Sequence, residues 1–170
     1  MPFFAASIIY GEYQYSLMLY VIASITDLLD GFIARISKQI TYFGSILDPV
    51  ADKFFLLTSF ILMSSYGLLP KWLTIVVLSK DLIVITGIII LYFVTDKLKI
   101  DSTFLGKVTT AMQFILIGLI LLLHNLKTPM PYENLTYGSI ALLTAISGLH
   151  YVYIGLKVAN SIKANTTDSQ

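Results

Sequence analysis

Residues 27–52 read DLLDGFIARISKQITYFGSILDPVAD. Two pairs of aspartates stand there at helical spacing, together with small residues and one arginine: Asp27, Asp30, Gly31, Ala34, Arg35, Gly44, Asp48 and Asp52. A carboxylate near the middle of a membrane helix costs roughly 2.5–3.5 kcal/mol to insert, so four left alone would cost about 10 kcal/mol. Arg35 and Lys53 offset two of these charges. A bound divalent cation would balance the remaining two, so the stretch indicates a metal site.

The composition is that of an integral membrane protein. The 170 residues are 56% hydrophobic and only 12% charged, whereas soluble domains carry about 25% charged residues. Cysteine is absent, which excludes both a disulfide framework and a thiolate metal site. The net charge of +1 gives no support for nucleic-acid binding.

Five apolar segments are each long enough to cross about 30 Å of hydrocarbon as a helix. They are residues 13–35, 45–68, 72–95, 104–123 and 135–157, and a shorter apolar segment at 2–10 precedes them. We therefore predict an all-α, polytopic membrane helix bundle with five full transmembrane helices. The membrane domain is expected at 1–160 and a polar C-terminal tail at 161–170.

Basic residues between the segments predict the orientation of the bundle. One side carries Arg35, Lys38, Lys97, Lys99, Lys107, Lys157 and Lys163, and the other carries only Lys71 and Lys127. Because lysine and arginine are enriched in cytoplasmic loops, the first side is expected to face the cytoplasm. Residues three or four apart share a helix face, so both aspartate pairs are expected to face one cavity open to the cytoplasm, in a cell inner membrane or its equivalent.

Aspartates without nearby histidine or cysteine are hard oxygen ligands that suit Mg²⁺ or Mn²⁺. Two such ions about 3.5–4 Å apart can stabilise both the attacking and the leaving oxygen of a phosphoryl displacement. The small residues Gly31, Ala34 and Gly44 would let a ligand approach the backbone closely. Two alternatives stay open: helix packing for the small residues, and a structural ion-pair network or cation pathway for the aspartates.

The pattern from Asp27 to Asp52 resembles the signature of the CDP-alcohol phosphatidyltransferases, membrane enzymes of phospholipid synthesis. Every fixed position of that signature and both spacers are present. The surrounding words, such as Thr41-Tyr42-Phe43-Gly44 and Leu47-Asp48-Pro49-Val50-Ala51-Asp52-Lys53, are most similar to the phosphatidylglycerophosphate synthase and eukaryotic-type cardiolipin synthase branches.

The resemblance implies a role for each motif residue. Asp27, Asp30 and Asp48 would bind one metal ion, and Asp27, Asp48 and Asp52 the second. The CDP-lipid site would consist of Asp27, Gly31, Ala34, Arg35, Gly44 and Asp48. Asp52 would be the catalytic residue that takes the proton of the acceptor hydroxyl. The phosphatidyl group of CDP-diacylglycerol would then pass to the acceptor, and CMP would leave.

The acceptor is predicted to be sn-glycerol 3-phosphate, with phosphatidylglycerol, the acceptor of cardiolipin synthesis, as the alternative. Lys80 and Lys107 are the candidates for binding the acceptor phosphate. The alternative for Lys80 is a polar contact with Asp81 inside the membrane. The alternative for Lys107 is a side chain that extends to the membrane interface.

Three further expectations complete the prediction. Relatives begin with a full membrane helix carrying an Asn-x-x-Thr-x-x-Arg element, and residues 2–10 resemble only its end, so we expect a truncated first helix.

Small residues recur in the last segment at Gly138, Ala141, Ala145 and Gly148, and they favour close packing within the bundle or across a homodimer. A divalent-cation transporter and an inactive paralogue acting as a dimer partner are the alternatives of another class.

Overall fold

The computed structural model describes the backbone of residues 1–37, 42–95 and 103–167, and the side chains of residues 1–26, 53–87 and 103–157. These ranges contain helices and no strand, so the described chain is all-α, as predicted. The helices are α1 (Pro2–Ile9), α2 (Tyr13–Ser37), α3 (Tyr42–Ser65), α4 (Lys71–Thr95), α5 (Phe104–Asn125) and α6 (Glu133–Thr167).

Each apolar segment forms a helix, and the helix bounds lie within three residues of the prediction except at the C-terminal end of α6. Helix α3 ends at Ser65, because Gly67 adopts a φ of 77°. The Leu68 amide then donates to the Met63 carbonyl at 2.8 Å, and the Gly67 amide donates to the Ser64 carbonyl at 3.3 Å. This is the Schellman motif, which glycine permits without steric cost. Helix α6 continues to Thr167 rather than ending at Lys157, and the predicted domain boundary at 160 stays a prediction.

Two helices are long and apolar enough to cross a membrane within the described residues. They are Phe104–Asn125 and Glu133–Lys157, and the apolar helix Lys53–Ser65 is shorter. All five predicted segments are therefore helices, and two of them have the length and composition to span a membrane. Five transmembrane helices stay a prediction.

The chain divides into two units. Unit 1 comprises Met1–Thr74 and Gln113–Pro131, and unit 2 comprises Ile75–Met112 and Tyr132–Gln170. All eight motif positions belong to unit 1, whereas Lys80 and Lys107 belong to unit 2.

An aromatic cluster of Phe4, Tyr20, Phe55 and Phe114 joins four helices in unit 1. Phe4 of α1 lies 6.0 Å from Tyr20 of α2 and 5.4 Å from Phe55 of α3, measured between ring centroids. Tyr20 stacks on Phe55 at 5.6 Å, and Phe55 stacks on Phe114 of α5 at 6.3 Å. These separations are within the range at which aromatic pairs attract one another beyond simple burial.

Polar contacts add to this core. The Tyr20 hydroxyl donates to the Phe114 carbonyl at 2.7 Å, and the Asn125 side chain donates to the Tyr13 carbonyl at 2.9 Å, so α2 and α5 are joined at two levels. The Ser16 hydroxyl donates to the Ser7 hydroxyl at 2.8 Å and joins α1 to α2. Small hydroxyl and amide groups commonly join membrane helices in this way, because hydrocarbon offers them no other partner.

Gly118 of α5 tests how tightly the aromatic cluster is packed. A Cβ atom at this position would lie 3.3 Å from the Tyr20 ring, whereas one at Gly87 of α4 would meet nothing within 4 Å. Alanine gains about 1 kcal/mol of helix propensity over glycine at either position, but at Gly118 the Tyr20 ring would also have to shift. We therefore expect Gly118→Ala to be less stable than Gly87→Ala by about 1 kcal/mol through overpacking, a difference of roughly 2–4 °C in melting temperature. Gly87→Ala is the matched control, and thermal unfolding in detergent measures both. Equal melting temperatures for the two variants would contradict the described packing.

Candidate active site

The eight motif positions lie on two consecutive helices. Asp27, Asp30, Gly31, Ala34 and Arg35 belong to α2, and Gly44, Asp48 and Asp52 belong to α3. The helical backbone through both stretches agrees with the predicted spacing. The side chains of these eight residues lie outside the described ranges, so their roles as metal, CDP-lipid and catalytic residues stay predictions.

The contact between Tyr20 and Phe55 is the described link between the two motif helices. Residues 38–41 connect α2 to α3, and a connection of that length spans at most about 18 Å. If the helices were parallel, the end of α2 and the start of α3 would lie about 45 Å apart along the axes, given the level of the Tyr20–Phe55 contact. The two helices are therefore antiparallel.

Lys80 and Asp81 form a buried ion pair on α4. The Lys80 Nζ lies 3.2 Å from the Asp81 Oδ1, and each side chain is only 6% exposed. The stem of Lys80 packs against Gly148 of α6, where an added Cβ would lie 3.3 Å from the Lys80 Cγ. The contact with Asp81 is the alternative that the sequence left open for Lys80. Of the small residues in the last segment, Gly148 is buried within unit 2 against the stem of Lys80, whereas a Cβ added to Gly138 would meet nothing within 4 Å.

Lys107 has a different environment, in the first turn of α5. Its side chain is exposed, whereas the preceding Gly106 is buried. Thr103 caps this turn, because its side-chain oxygen accepts a hydrogen bond from the Gly106 amide at 3.1 Å. A threonine at this position satisfies one of the amides that have no partner within the helix.

Tyr151 of α6 covers the same turn. Its hydroxyl accepts a hydrogen bond from the Thr103 amide at 3.1 Å. The hydroxyl would also lie 2.6 Å from a Cβ on Gly106, so only glycine leaves room for it. One turn of α6, from Gly148 to Tyr151, therefore contacts both the helix that carries Lys80 and the helix that carries Lys107.

Tyr151 was not among the residues singled out as site residues from the sequence. It stands in an aromatic run, Tyr151-Val152-Tyr153, and no motif connects it to Gly106. No group of three or more histidine, cysteine, aspartate or glutamate residues gathers among the side chains that the structure describes. The four motif aspartates lie outside those ranges.

The sequence profile of the CDP-alcohol phosphatidyltransferases matches residues 1–152. The chain belongs to this family. The resemblance of the stretch from Asp27 to Asp52 is thereby confirmed, and with it the assignment of the chain as an enzyme of this class.

Relatives from both predicted branches of the CDP-alcohol phosphatidyltransferases are similar to this chain. The CDP-diacylglycerol–glycerol-3-phosphate 3-phosphatidyltransferase of Bacillus subtilis is 35% identical over 137 residues, which cover 79% of this chain and 69% of that protein. A probable phosphatidylglycerophosphate synthase of Mycobacterium tuberculosis is 32% identical, covering 96% and 79%. The CMP-forming cardiolipin synthase of Homo sapiens is 30% identical, covering 95% and 60%.

The ion pair between Lys80 and Asp81 generates a stability prediction. Removing one partner of a buried pair leaves the other charge buried, which costs about 3–5 kcal/mol, whereas replacing both partners is often nearly neutral. We therefore expect Asp81→Asn to lower the melting temperature strongly, and the double variant Lys80→Met/Asp81→Asn to recover most of the loss. Thermal unfolding in detergent measures this. A double variant as unstable as Asp81→Asn would show that the loss does not come from leaving the Lys80 charge buried without Asp81.

Proposed function

We propose that this chain transfers the phosphatidyl group of CDP-diacylglycerol to sn-glycerol 3-phosphate, which gives phosphatidylglycerophosphate and CMP. The observation that carries the proposal is the complete motif from Asp27 to Asp52 on the antiparallel pair α2 and α3, within the part of the chain that the family profile matches. The relatives that bear the name of this reaction, or of phosphatidylglycerophosphate synthase, support glycerol 3-phosphate as the acceptor.

The contact between Tyr20 and Phe55 supports a register for the two motif helices. Starting from this pair, positions 27 and 48 each lie about two turns closer to the connection between α2 and α3, within about 20° of the face that carries the contact. Positions 31 and 44 each lie about one further turn along the same faces. In an antiparallel pair, steps of equal length keep two positions at one level. We therefore propose that position 27 is level with position 48, and position 31 with position 44.

This register supports a metal site built from both helices. The donor set is four carboxylates, Asp27, Asp30, Asp48 and Asp52, without histidine or cysteine in the motif, and such oxygen ligands fit Mg²⁺ or Mn²⁺. We propose that Asp27, Asp30 and Asp48 would hold one ion and that Asp27, Asp48 and Asp52 would hold a second. When bound, the ions would neutralise the negative charge of the diphosphate.

The motif's other residues would bind and orient the substrates. We propose that Gly31 and Gly44 let the cytidine diphosphate approach the backbone, with Ala34 beside them and Arg35 supplying a positive charge. Asp52 would accept the proton of the acceptor hydroxyl, whose oxygen forms a bond to the phosphorus that carries the diacylglycerol. The bond from that phosphorus to the bridging oxygen would break, and CMP would leave. Holding the reactants in this arrangement supplies much of the rate acceleration in such transfers.

For the acceptor phosphate, the described contacts favour Lys107 over Lys80. Lys107 is exposed in the first turn of α5, whereas Lys80 is buried and paired with Asp81. A buried ammonium that already has a carboxylate partner would need to break that pair before binding a phosphate. We propose that Lys107 binds the acceptor phosphate. Lys80 would have a structural role, because its charge is paired with Asp81 and its stem packs against Gly148 of α6.

Cardiolipin synthesis is the second candidate function, with phosphatidylglycerol as the acceptor. The similarity to the human CMP-forming cardiolipin synthase over 95% of this chain supports it. Both acceptors carry a phosphate and a free hydroxyl, so the chemistry at the motif would be the same.

Membrane placement is the remaining part of the proposal. We propose that all five long helices span the membrane. The connection between α2 and α3 would face the cytoplasm, because it contains Lys38 and follows Arg35 closely. The enzyme would lie in the cell inner membrane or its equivalent. The exposed small residues Gly138 and Ala145 of α6 support a homodimer formed through that helix.

Asp48→Asn tests the metal assignment. This change removes one negative charge and one oxygen ligand shared by both proposed ions, so we expect CMP release to fall to background while the protein keeps its melting temperature. Glu12→Gln is the matched control, because Glu12 is an exposed carboxylate outside the motif. CMP release is measured with CDP-diacylglycerol and Mg²⁺, with glycerol 3-phosphate or phosphatidylglycerol supplied separately. Near-normal turnover by the Asp48→Asn variant would contradict the assignment.

The same assay identifies the acceptor, because CMP release depends on which of the two compounds is supplied. Release with glycerol 3-phosphate alone supports the first function, and release with phosphatidylglycerol alone supports the second. Divalent-cation flux into liposomes, without any dependence on CDP-diacylglycerol, would instead favour a transporter.

Cysteine cross-linking tests the proposed register directly, because the natural chain has no cysteine. We expect the Gly31→Cys/Gly44→Cys variant to react readily with a short thiol-specific bifunctional reagent, because the proposed register puts both positions on the facing sides of the two helices. Leu29→Cys/Ile46→Cys is the matched control, because in the same register these two positions are level with each other on the opposite sides of the two helices. Peptide mass spectrometry measures the cross-linked fraction. Equal cross-linking of the two pairs would contradict the register.

A further inference from the structure

Tyr151 lies directly over the turn of α5 that carries Lys107. The Thr103 amide donates to the Tyr151 hydroxyl at 3.1 Å, and the Tyr151 ring reaches within 2.8 Å of the Cβ position of Gly106. The sequence separation between Thr103 and Tyr151 is 48 residues, so this is a tertiary contact between two helices of unit 2.

This contact acts on one face of the turn and leaves the other face open. Gly106 is buried on the side of Tyr151, whereas the next residue, Lys107, is exposed. The Lys107 amide donates to the Thr103 carbonyl at 3.1 Å. Thr103 therefore contacts Tyr151 through its amide and Lys107 through its carbonyl. Helix ends fray unless such contacts hold them.

The position of Tyr151 on α6 is itself fixed by a second contact. Gly148 is one turn before Tyr151 and packs against the stem of the buried Lys80. The paired Lys80 therefore fixes this turn of α6 against α4, and Tyr151 on the same turn contacts the start of α5.

We propose that Tyr151 is a positioning residue, which holds the first turn of α5 so that Lys107 is presented to the phosphate of the acceptor. The inference rests on the proposed function. Tyr151 itself does not touch the substrate in this proposal, and its hydroxyl acts through the Thr103 amide.

Tyr151→Phe removes the hydroxyl and keeps the ring over Gly106. We expect the KM for glycerol 3-phosphate to rise about three- to tenfold, the range that corresponds to losing one hydrogen bond, while kcat and the KM for CDP-diacylglycerol stay unchanged. Tyr153→Phe is the matched control on the same helix, because Tyr153 is exposed. A merely structural role for Tyr151 would lower the melting temperature or change both KM values together.

Two further variants sharpen the test. Gly106→Ala displaces the Tyr151 ring without changing Tyr151, and we expect the same rise in KM. In a Lys107→Ala background, Tyr151→Phe should add no further increase, because the positioned group is already absent. Additive effects of Tyr151→Phe and Lys107→Ala would overturn the proposal.

The outcomes separate this inference from the proposed function. If the natural chain releases CMP with its acceptor and Tyr151→Phe leaves every kinetic constant unchanged, the positioning role is wrong and the proposed function stands. If the natural chain releases no CMP with glycerol 3-phosphate or phosphatidylglycerol, both are overturned.

Discussion

The stacking of Tyr20 on Phe55 is the contact on which the arrangement of the motif helices depends. A helix can rotate about its axis, so the spacing of aspartates on one helix does not determine which partner face they meet. The ring contact at 5.6 Å, with Phe4 and Phe114 packed around it, selects one rotation for both α2 and α3. The hydrogen bond from the Tyr20 hydroxyl to the Phe114 carbonyl also fixes the height of α2 against α5. The register that we propose for the metal site, about two turns away, rests on this aromatic cluster.

In unit 2, the buried charges of Lys80 and Asp81 are paired with each other. The Lys80–Asp81 pair is buried, and Gly148 leaves the space that the lysine stem occupies. Because an unpaired buried charge is costly, this pairing favours a structural role for Lys80 over binding a transient substrate. Lys107 is exposed at the start of α5, and its charge is therefore available to an anionic ligand. The two lysines differ in how deeply they are buried, which cannot be read from their residue type alone.

The helices were largely predictable, because apolar length is a local property. Each predicted segment is a helix, and the end of α3 at Ser65 is explained by Gly67, a residue whose positive φ the sequence permits but does not require. The continuation of α6 to Thr167 was not predicted, since its last residues are polar. For the candidate site, the shared helix faces of the motif positions were predictable from their spacing, and the family from their resemblance to a known signature. The contact of Tyr151 with the turn of Lys107 was not, because Thr103 and Tyr151 are 48 residues apart and no pattern connects them.

The sequence by itself determined the all-α class, the two aspartate pairs at helical spacing, and membership of the CDP-alcohol phosphatidyltransferases. These properties depend on residue type and local periodicity, which are fully present in the chain. Only the tertiary structure decided that Tyr20 meets Phe55, that Lys80 is buried against Gly148, and that Tyr151 covers Gly106. Each of these contacts depends on the packing of side chains from distant helices, and apolar helices have several faces that could serve equally well until that packing is formed.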